Sequence, residues 1–237
     1  YLNNHLFLAL ARECAQPLAD ALRELPSIPR VGHWVNWVRN YDELDLERLT
    51  DDEREEVFKA FAPDPDLRIY GRGIRRRLAS MLHGDRSRME LAYSLLFSLP
   101  GSPCLFIGEE IGMGEDLSLE GRESVRTPMQ WTDEPNAGFS TADRENLIRP
   151  VISDGQFGYQ QVNVIDQRRD PNSFLNWMRR LISVRRQSPE IGWGEFCVLN
   201  TDHDGVLAHA LIDDRGTVIV LHNLSGESCQ VHVDLGD

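Results

Sequence analysis

Lysine is almost missing from this chain of 237 residues: Lys59 stands alone and every other basic residue is an arginine. Without a Gly-Lys-Ser/Thr triplet, a phosphate-cradling P-loop is excluded. Cysteine is sparse and scattered, since Cys14, Cys104, Cys197 and Cys229 never form a C-x-x-C pair. Clustered zinc ligands and a dense disulfide framework are thereby excluded, and four separated thiols fit a reducing, cytoplasmic setting. The seven histidines include no H-x-x-x-H pair, and no G-x-S-x-G elbow occurs. Zinc-hydrolase and Ser-His-Asp chemistry are therefore unsupported. No apolar run approaches the roughly 18 residues of a membrane helix, and the opening at Tyr1 lacks the layout of a signal peptide. Positive charge is short as well. With 38 acidic against 25 basic residues the formal net charge is −13, which argues against nucleic-acid binding, where phosphates demand a basic face.

What is present suits a globular protein, with 41% hydrophobic and 27% charged residues. Leu6, Leu10, Cys14 and Leu18 recur at helical spacing, with Pro17 marking a break between two helices. His33 to Val38 reads as a strand covered on both faces. Thr50 followed by Glu53 is a capping box at a helix start. Ile74, Leu78 and Leu82 mark a further helix carrying Arg75-Arg76-Arg77 as a solvated or salt-bridged surface rather than a phosphate site, and Asp85 to Leu99 a longer one. Cys104 to Ile107 reads as a short buried strand. The stretch from Gly108 to Asp170 is rich in Gly, Pro, Asp and Asn, the texture of functional loops. Asp170-Pro171 is expected to open the next helix, as N-cap and first residue. Past Pro189 the pattern turns to antiparallel strands at Glu195–Leu199, Val206–Ile212, Thr217–Asn223 and Cys229–Val233. His209, His222 and His232 are expected at strand surfaces there.

This is the rhythm of βα units followed by a β domain, with a boundary near Ile191 separating residues 1–190 from 191–237. A closed (β/α) barrel needs about 250 residues and eight strands, and two good strands precede residue 190.

Three polar constellations could carry chemistry. Arg39-Asn40-Tyr41-Asp42-Glu43 follows the first strand, where barrel enzymes place functional groups. Asp42 and Glu43 as a glycosidase pair would need carboxyls about 5 Å apart, yet neighbours on a strand face opposite ways. A solvated acidic loop is the competing reading. Gly108-Glu109-Glu110-Ile111-Gly112 ends the second strand, either as backbone pressed against a ligand or as a solvated turn. In Arg126-Thr127-Pro128-Met129-Gln130-Trp131, an Arg fork and an amide could bind sugar hydroxyls while Trp stacks on the ring. Packing by Met and Trp is the structural alternative.

Taken in order, these segments resemble the alpha-amylase superfamily of glycoside hydrolases, and within it the trehalose synthases and neighbouring alpha-glucosidases. Asn40-Tyr41-Asp42 is similar to the family's Asn-His-Asp after the seventh barrel strand, and Gly101 to Met113 to its eighth strand and Gly-Asp-Glu-Ile-Gly-Met turn. Arg126 to Trp131 matches a signature of enzymes acting on short alpha-glucosides. Arg75 to Ala79 and Gly138-Phe139-Ser140 look like trehalose synthases.

The resemblance implies an α/β plus β fold: the C-terminal part of a TIM (β/α)8 barrel, about strands 7 and 8 with their helices, then a partial antiparallel β-sandwich. It makes Asp42 the third carboxylate, which stabilises an oxocarbenium-like transition state. It assigns Arg39, Asn40, Tyr41, Glu109, Arg126 and Gln130 to substrate binding. The nucleophilic Asp and acid/base Glu belong to strands four and five, so the chain is expected to be the C-terminal fragment of a longer retaining enzyme and inactive alone. Two departures stand out: Tyr41 replaces a His and Glu109 an Asp. Tyr41 motivates the alternative of a non-catalytic sugar-binding member of the same fold. No metal or cofactor is expected, and the expected partners are small alpha-glucosides such as maltose and trehalose, with no nucleic acid and no membrane.

Overall fold

The computed structural model describes residues 2–29 and 32–235. Its elements in chain order are α1 (Leu2–Arg12), α2 (Gln16–Arg23), β1 (Val35–Asn36), β2 (Leu44–Asp45), α3 (Asp51–Phe61), β3 (Arg68–Ile69), β4 (Gly73–Ile74), α4 (Leu78–Met81), α5 (Arg86–Ser98) and β5 (Ser102–Pro103). A long loop segment with 3-10 turns leads to α6 (Val164–Arg169), α7 (Phe174–Gln187), α8 (Glu190–Trp193), β6 (Glu195–Thr201), β7 (Val206–Asp213), β8 (Gly216–Asn223) and β9 (Val233–Asp234).

Local signals produce the helices. Proline breaks the first apolar stripe into α1 and α2. Thr50 and Glu53 complete their capping box, each satisfying the other's backbone donor, a device contributing about 1 kcal/mol. Asp85 caps α5, whose Met89, Ala92, Leu95 and Leu96 are buried. These helices share one core cluster that includes Phe7, Leu18, Val57, Phe61 and Leu95, and Leu207 and Leu224 of the β region belong to the same cluster.

β1 and β5 form a parallel pair, Val35 opposite Ser102. Gly101 makes the close approach possible: its φ is +111°, and a Cβ there would lie 2.6 Å from Trp34 Cβ. The expected strand at His33–Val38, covered on both faces, is corrected to two residues with Val35 54% and Trp37 36% exposed. Among the described residues β1 pairs with β5 alone, so one edge is held. The strand expected at Cys104–Ile107 is likewise displaced to Ser102–Pro103. One further bond, Cys104 N–H to Asn36 O at 2.7 Å, extends the pairing. The Phe106 N–H is then diverted to the Glu109 carboxylate at 3.0 Å.

Three other expectations change. Ile74 closes the small β2–β4–β3 sheet, and Arg75 to Arg77 run as irregular chain before α4 begins at Leu78. The backbone N–H of Arg77 is claimed by Glu115 at 2.9 Å, ahead of any helical bond. Ser173 caps α7, accepting from Asn176 N, while the Asp170 carboxylate turns the chain by accepting from Asn172 N at 2.8 Å. The last strand is Val233–Asp234 only, because the Asp202 carboxylate captures the His232 N–H.

The four long-predicted strands form an antiparallel sheet ordered β8-β7-β6-β9. β7, central, is buried from Val206 to Leu211. His209 and His222 are not at the surface; they are 0% and 4% exposed, against α5. Ser94 Oγ and His222 Nε2 lie 2.9 Å apart, and His209 Nε2 is 3.2 Å from Ser98 O. Among the described residues no helix is long and apolar enough to cross a membrane.

Candidate active site

The site begins where β1 ends. Val38 anchors the chain in the core, and Arg39, 1% exposed, folds back so that Nη1 donates to Tyr41 O at 3.0 Å. Asn40 Oδ1 accepts from Asp45 N at 3.2 Å and Asn3 Nδ2 at 3.3 Å. These bonds curl residues 39–45 into a turn that presents Asp42. The Tyr41 ring, 48% exposed, stands edge-on to Phe106 with centroids 5.2 Å apart.

Arg126 arrives from a segment 84 residues away and grips Asp42 with both arms. Nε donates to Oδ1 and Nη2 to Oδ2, each at 2.7 Å. This two-point geometry is the strongest an arginine makes with a carboxylate. Arg122 Nη1 stands 3.7 Å from Asp42 and its Nε 3.4 Å from Glu43. The Arg126 hydrogen bonds hold the Asp42 carboxyl below the usual carboxylate range, against a smaller opposing effect of burial. Asp42 and Glu43 are thus each matched to arginine.

Glu109 opens the 3-10 turn Glu109–Ile111 beyond β5, buried, with Oε2 accepting from Phe106 N at 3.0 Å and Oε1 without a partner among the described residues. Gly108 before it has φ +87°, and a Cβ there would meet Met113 Sδ at 2.4 Å, so the turn admits only glycine. Burial raises the Glu109 carboxyl to about 7, although the Phe106 N–H and the charges of Arg39 and Arg77 pull the other way. Desolvation prevails because, among the described residues, neither guanidinium donates to it, and Arg39 Nε, Arg39 Nη2 and Arg77 Nε are themselves buried without partners there. Burial likewise lowers Arg39 to about 10.

The arginine run is the frame of the site: its expected place on a helix surface is corrected, while the salt-bridged half of the reading holds at Arg76. Arg77 Nη1 donates to Ile107 O at 2.7 Å and Nη2 to Val125 O at 2.8 Å. Arg76 pairs with the buried Glu115 at 3.1 Å and donates to Phe61 O and Ser80 O. Arg75 Nη2 donates to Leu117 O and Leu119 O. The loop carrying Glu109 and the turn carrying Arg122 and Arg126 are strapped to one stretch of backbone. Sequence reasoning missed Arg77 and Arg122 as parts of the site and weighed Glu43 only as a carboxylate beside Asp42; consecutive arginines ahead of a Gly-rich segment are the signal that pointed to Arg77.

The structure brings Arg39, Asn40, Tyr41, Asp42 and Arg126 together and sets Glu109 close enough to Arg39 for their charges to interact. Gln130 is set apart: it is 0% exposed, and its Nε2 donates to Phe157 O and Val162 O, inside the loop. Trp131 beside it is 45% exposed. Among the described residues no group of three or more His, Cys, Asp or Glu side chains could hold a metal ion.

Comparison with known proteins follows the geometry. The family model described as alpha amylase, catalytic domain, matches residues 74–194. The trehalose synthase/amylase of Mycobacterium tuberculosis is 43% identical over 233 residues, which are 97% of this chain and 39% of that protein. The chain therefore spans about two fifths of the length of the curated relatives it matches. Among solved structures, the alpha-amylase of H. orenii superposes with a TM-score of 0.62 at 20% identity, covering 94% of this chain and 38% of that one. The trehalulose synthase MutB from Pseudomonas mesoacidophila MX-45 gives 0.62 at 19% identity, covering 90% and 39%. These superpositions establish a shared fold.

Proposed function

The chain belongs to the alpha-amylase family, and we propose that it forms part of a retaining, alpha-glucoside-active enzyme of the trehalose synthase kind, interconverting maltose and trehalose with some hydrolysis. The observation that carries this reading is the meeting of Asp42 and Arg126, from the ends of a parallel strand pair and a signature loop, across 84 residues of chain. Likeness to a trehalose synthase/amylase along 97% of the chain supports the substrate class.

In this reading β1 and β5 are the last two strands of a barrel, residues 1–190 are its closing part, and residues 191–237 begin a β-sandwich. Two features support it. An apolar cleft of about 450 Å3, lined by Leu2, Leu25, Trp34, Trp37, Leu96 and Leu99, lies beside β1. On the outer face of β8, Ile219 and Leu221 are 42% and 47% exposed, the pattern of a sheet that expects a second layer. In this reading the nucleophile and acid/base come from barrel strands that pack against that cleft.

Mechanistically, Asp42 faces the anomeric region and stabilises the positive charge that develops as the glycosidic bond breaks, on the way to a covalent glycosyl-enzyme. Tyr41 donates a hydrogen bond to a sugar hydroxyl, and Arg39 and Asn40 hold the turn. Isomerisation follows when released glucose is retained and attacks again; hydrolysis follows when water does. Incubating the longer polypeptide with maltose tests the reading. Trehalose formation, abolished by Asp42→Asn, is expected; absence of any turnover refutes it.

Tyr41 favours one alternative, a sugar-binding protein without turnover. It predicts alpha-glucoside binding with no product, unrelieved by Tyr41→His.

A further inference from the structure

Arg126 has two carboxylate partners. Besides its two-point hold on Asp42, its Nη1 lies 3.2 Å from Glu123 Oε1, three residues earlier on the turn Gly121–Val125. Glu123 is in turn held from its other oxygen by Arg149 Nε. The Arg126, Asp42 and Glu123 side chains are 39%, 16% and 32% exposed, so all three border solvent and can rearrange.

This arrangement poses a problem that the proposed function makes acute. A carboxylate that stabilises a developing sugar cation must present its negative charge to it. Here that charge is already neutralised by a guanidinium at 2.7 Å on both oxygens, with Arg122 at 3.7 Å behind it. The positive charge developing on a ring at Asp42 would meet a like charge. The conflict is relieved if Arg126 moves, and a full retreat into water would forfeit two charge-assisted bonds. Glu123 removes that cost, because it already touches Arg126 and needs only a rotation of the guanidinium to receive it.

We infer that Arg126 is a swinging counter-ion: it caps Asp42 in the empty site and passes to Glu123 when an alpha-glucoside enters. Glu123 is then a positioning residue that acts through Arg126, and Arg149 sets how much of the Glu123 charge is free to receive it. The inference rests on the reading of Asp42 given above and deepens it, by naming how the empty site protects its carboxylate and how sugar affinity is adjusted from outside the pocket.

Three variants of the longer polypeptide, assayed on maltose, test it. Glu123→Gln keeps the shape and removes the receiving charge. KM is expected to rise about threefold to fivefold, the size one exposed ion pair supports, with kcat little changed. Adding about 0.5 M salt should then lower KM, because screening loosens Arg126 from Asp42. Glu123→Asp restores the charge and most of the affinity. Arg149→Ala frees Glu123 for Arg126 and shifts KM in the opposite direction, downward, which general damage to the loop would not do. Unchanged KM in Glu123→Gln, or a joint fall of kcat and melting temperature in both Glu123→Gln and Arg149→Ala, overturns the inference while leaving the proposed function standing. A wild-type polypeptide that neither turns over nor binds maltose overturns the reading of Asp42 itself.

Discussion

Acid should loosen the joint between the β sheet and α5, and the size of the effect follows from two imidazoles. His209 and His222 stack with centroids 5.9 Å apart, and each uses Nε2 toward α5 while its Nδ1 has no partner among the described residues. Burial lowers His209 to about 4, against a weaker opposing bond to Ser98. Burial, then the neighbouring His209, lowers His222 to about 3. Among the described residues no acidic side chain is among the groups acting on either ring. Both rings are therefore neutral in the fold. Above pH 6.5, the ordinary histidine value, they are neutral in the unfolded chain too and carry no penalty. As pH falls below that value the unfolded chain takes up protons that the fold refuses. Stability is lost from there down to the folded values near 4 and 3, at which the fold also protonates. Between pH 7 and pH 5 the pair should remove about 4 kcal/mol, roughly 1.4 kcal/mol per unit per ring. Urea unfolding of wild type and of the double variant His209→Gln, His222→Gln at both pH values measures this, because glutamine can keep a hydrogen bond to α5 without titrating. Most of the acid loss should vanish in the variant. Equal losses in the two proteins would refute the reasoning, as would an NMR titration placing either ring near 6.5.

Glu109 should titrate with the opposite sense: its folded value is raised, so stability is complete below about pH 4.5 and is lost as pH rises toward 7. Glu109→Gln should flatten that slope in the same urea series. Arg77→Ala removes the ties to Ile107 and Val125 and should cost about 3 kcal/mol, with new proteolytic cleavage between residues 107 and 125. Gly101→Ala forces a Cβ against Trp34 at a positive φ, and a loss of roughly 1–3 kcal/mol in thermal unfolding is expected. Thr50→Ala breaks the capping box and should lower stability by about 1 kcal/mol.

What could be read beforehand was whatever depends on neighbours in sequence. The split of α1 from α2 at a proline, the Thr50–Glu53 box and the buried stripe of α5 are decided within one or two helical turns. The long strands of the sheet announced themselves as apolar runs separated by Asp-His-Asp-Gly and Asp-Asp-Arg-Gly turns. The errors share a different cause. Arg77 reads as a helical surface residue until its partners are known, and these lie 30, 38 and 48 residues away. Asp170-Pro171 has the better local cap pattern, yet Ser173 wins the position because its Oγ also donates to Gln167 O at 2.6 Å, tying α7 to α6. The apolar runs placed His209 and His222 on the β strands without saying which face would meet α5. The site was legible as three separate constellations; that Asp42 would be gripped by Arg126, and Gln130 turned inward, required the fold.

The shared core has a practical meaning for anyone dissecting this polypeptide. The change of texture near Ile191 invites a cut, but Leu207 and Leu224 complete the cluster built by the helices, and His222 meets Ser94 across the junction. Trimming at residue 190 would strip the cover from α5 and leave a sticky helical remnant, so deletion mapping should keep the sheet attached.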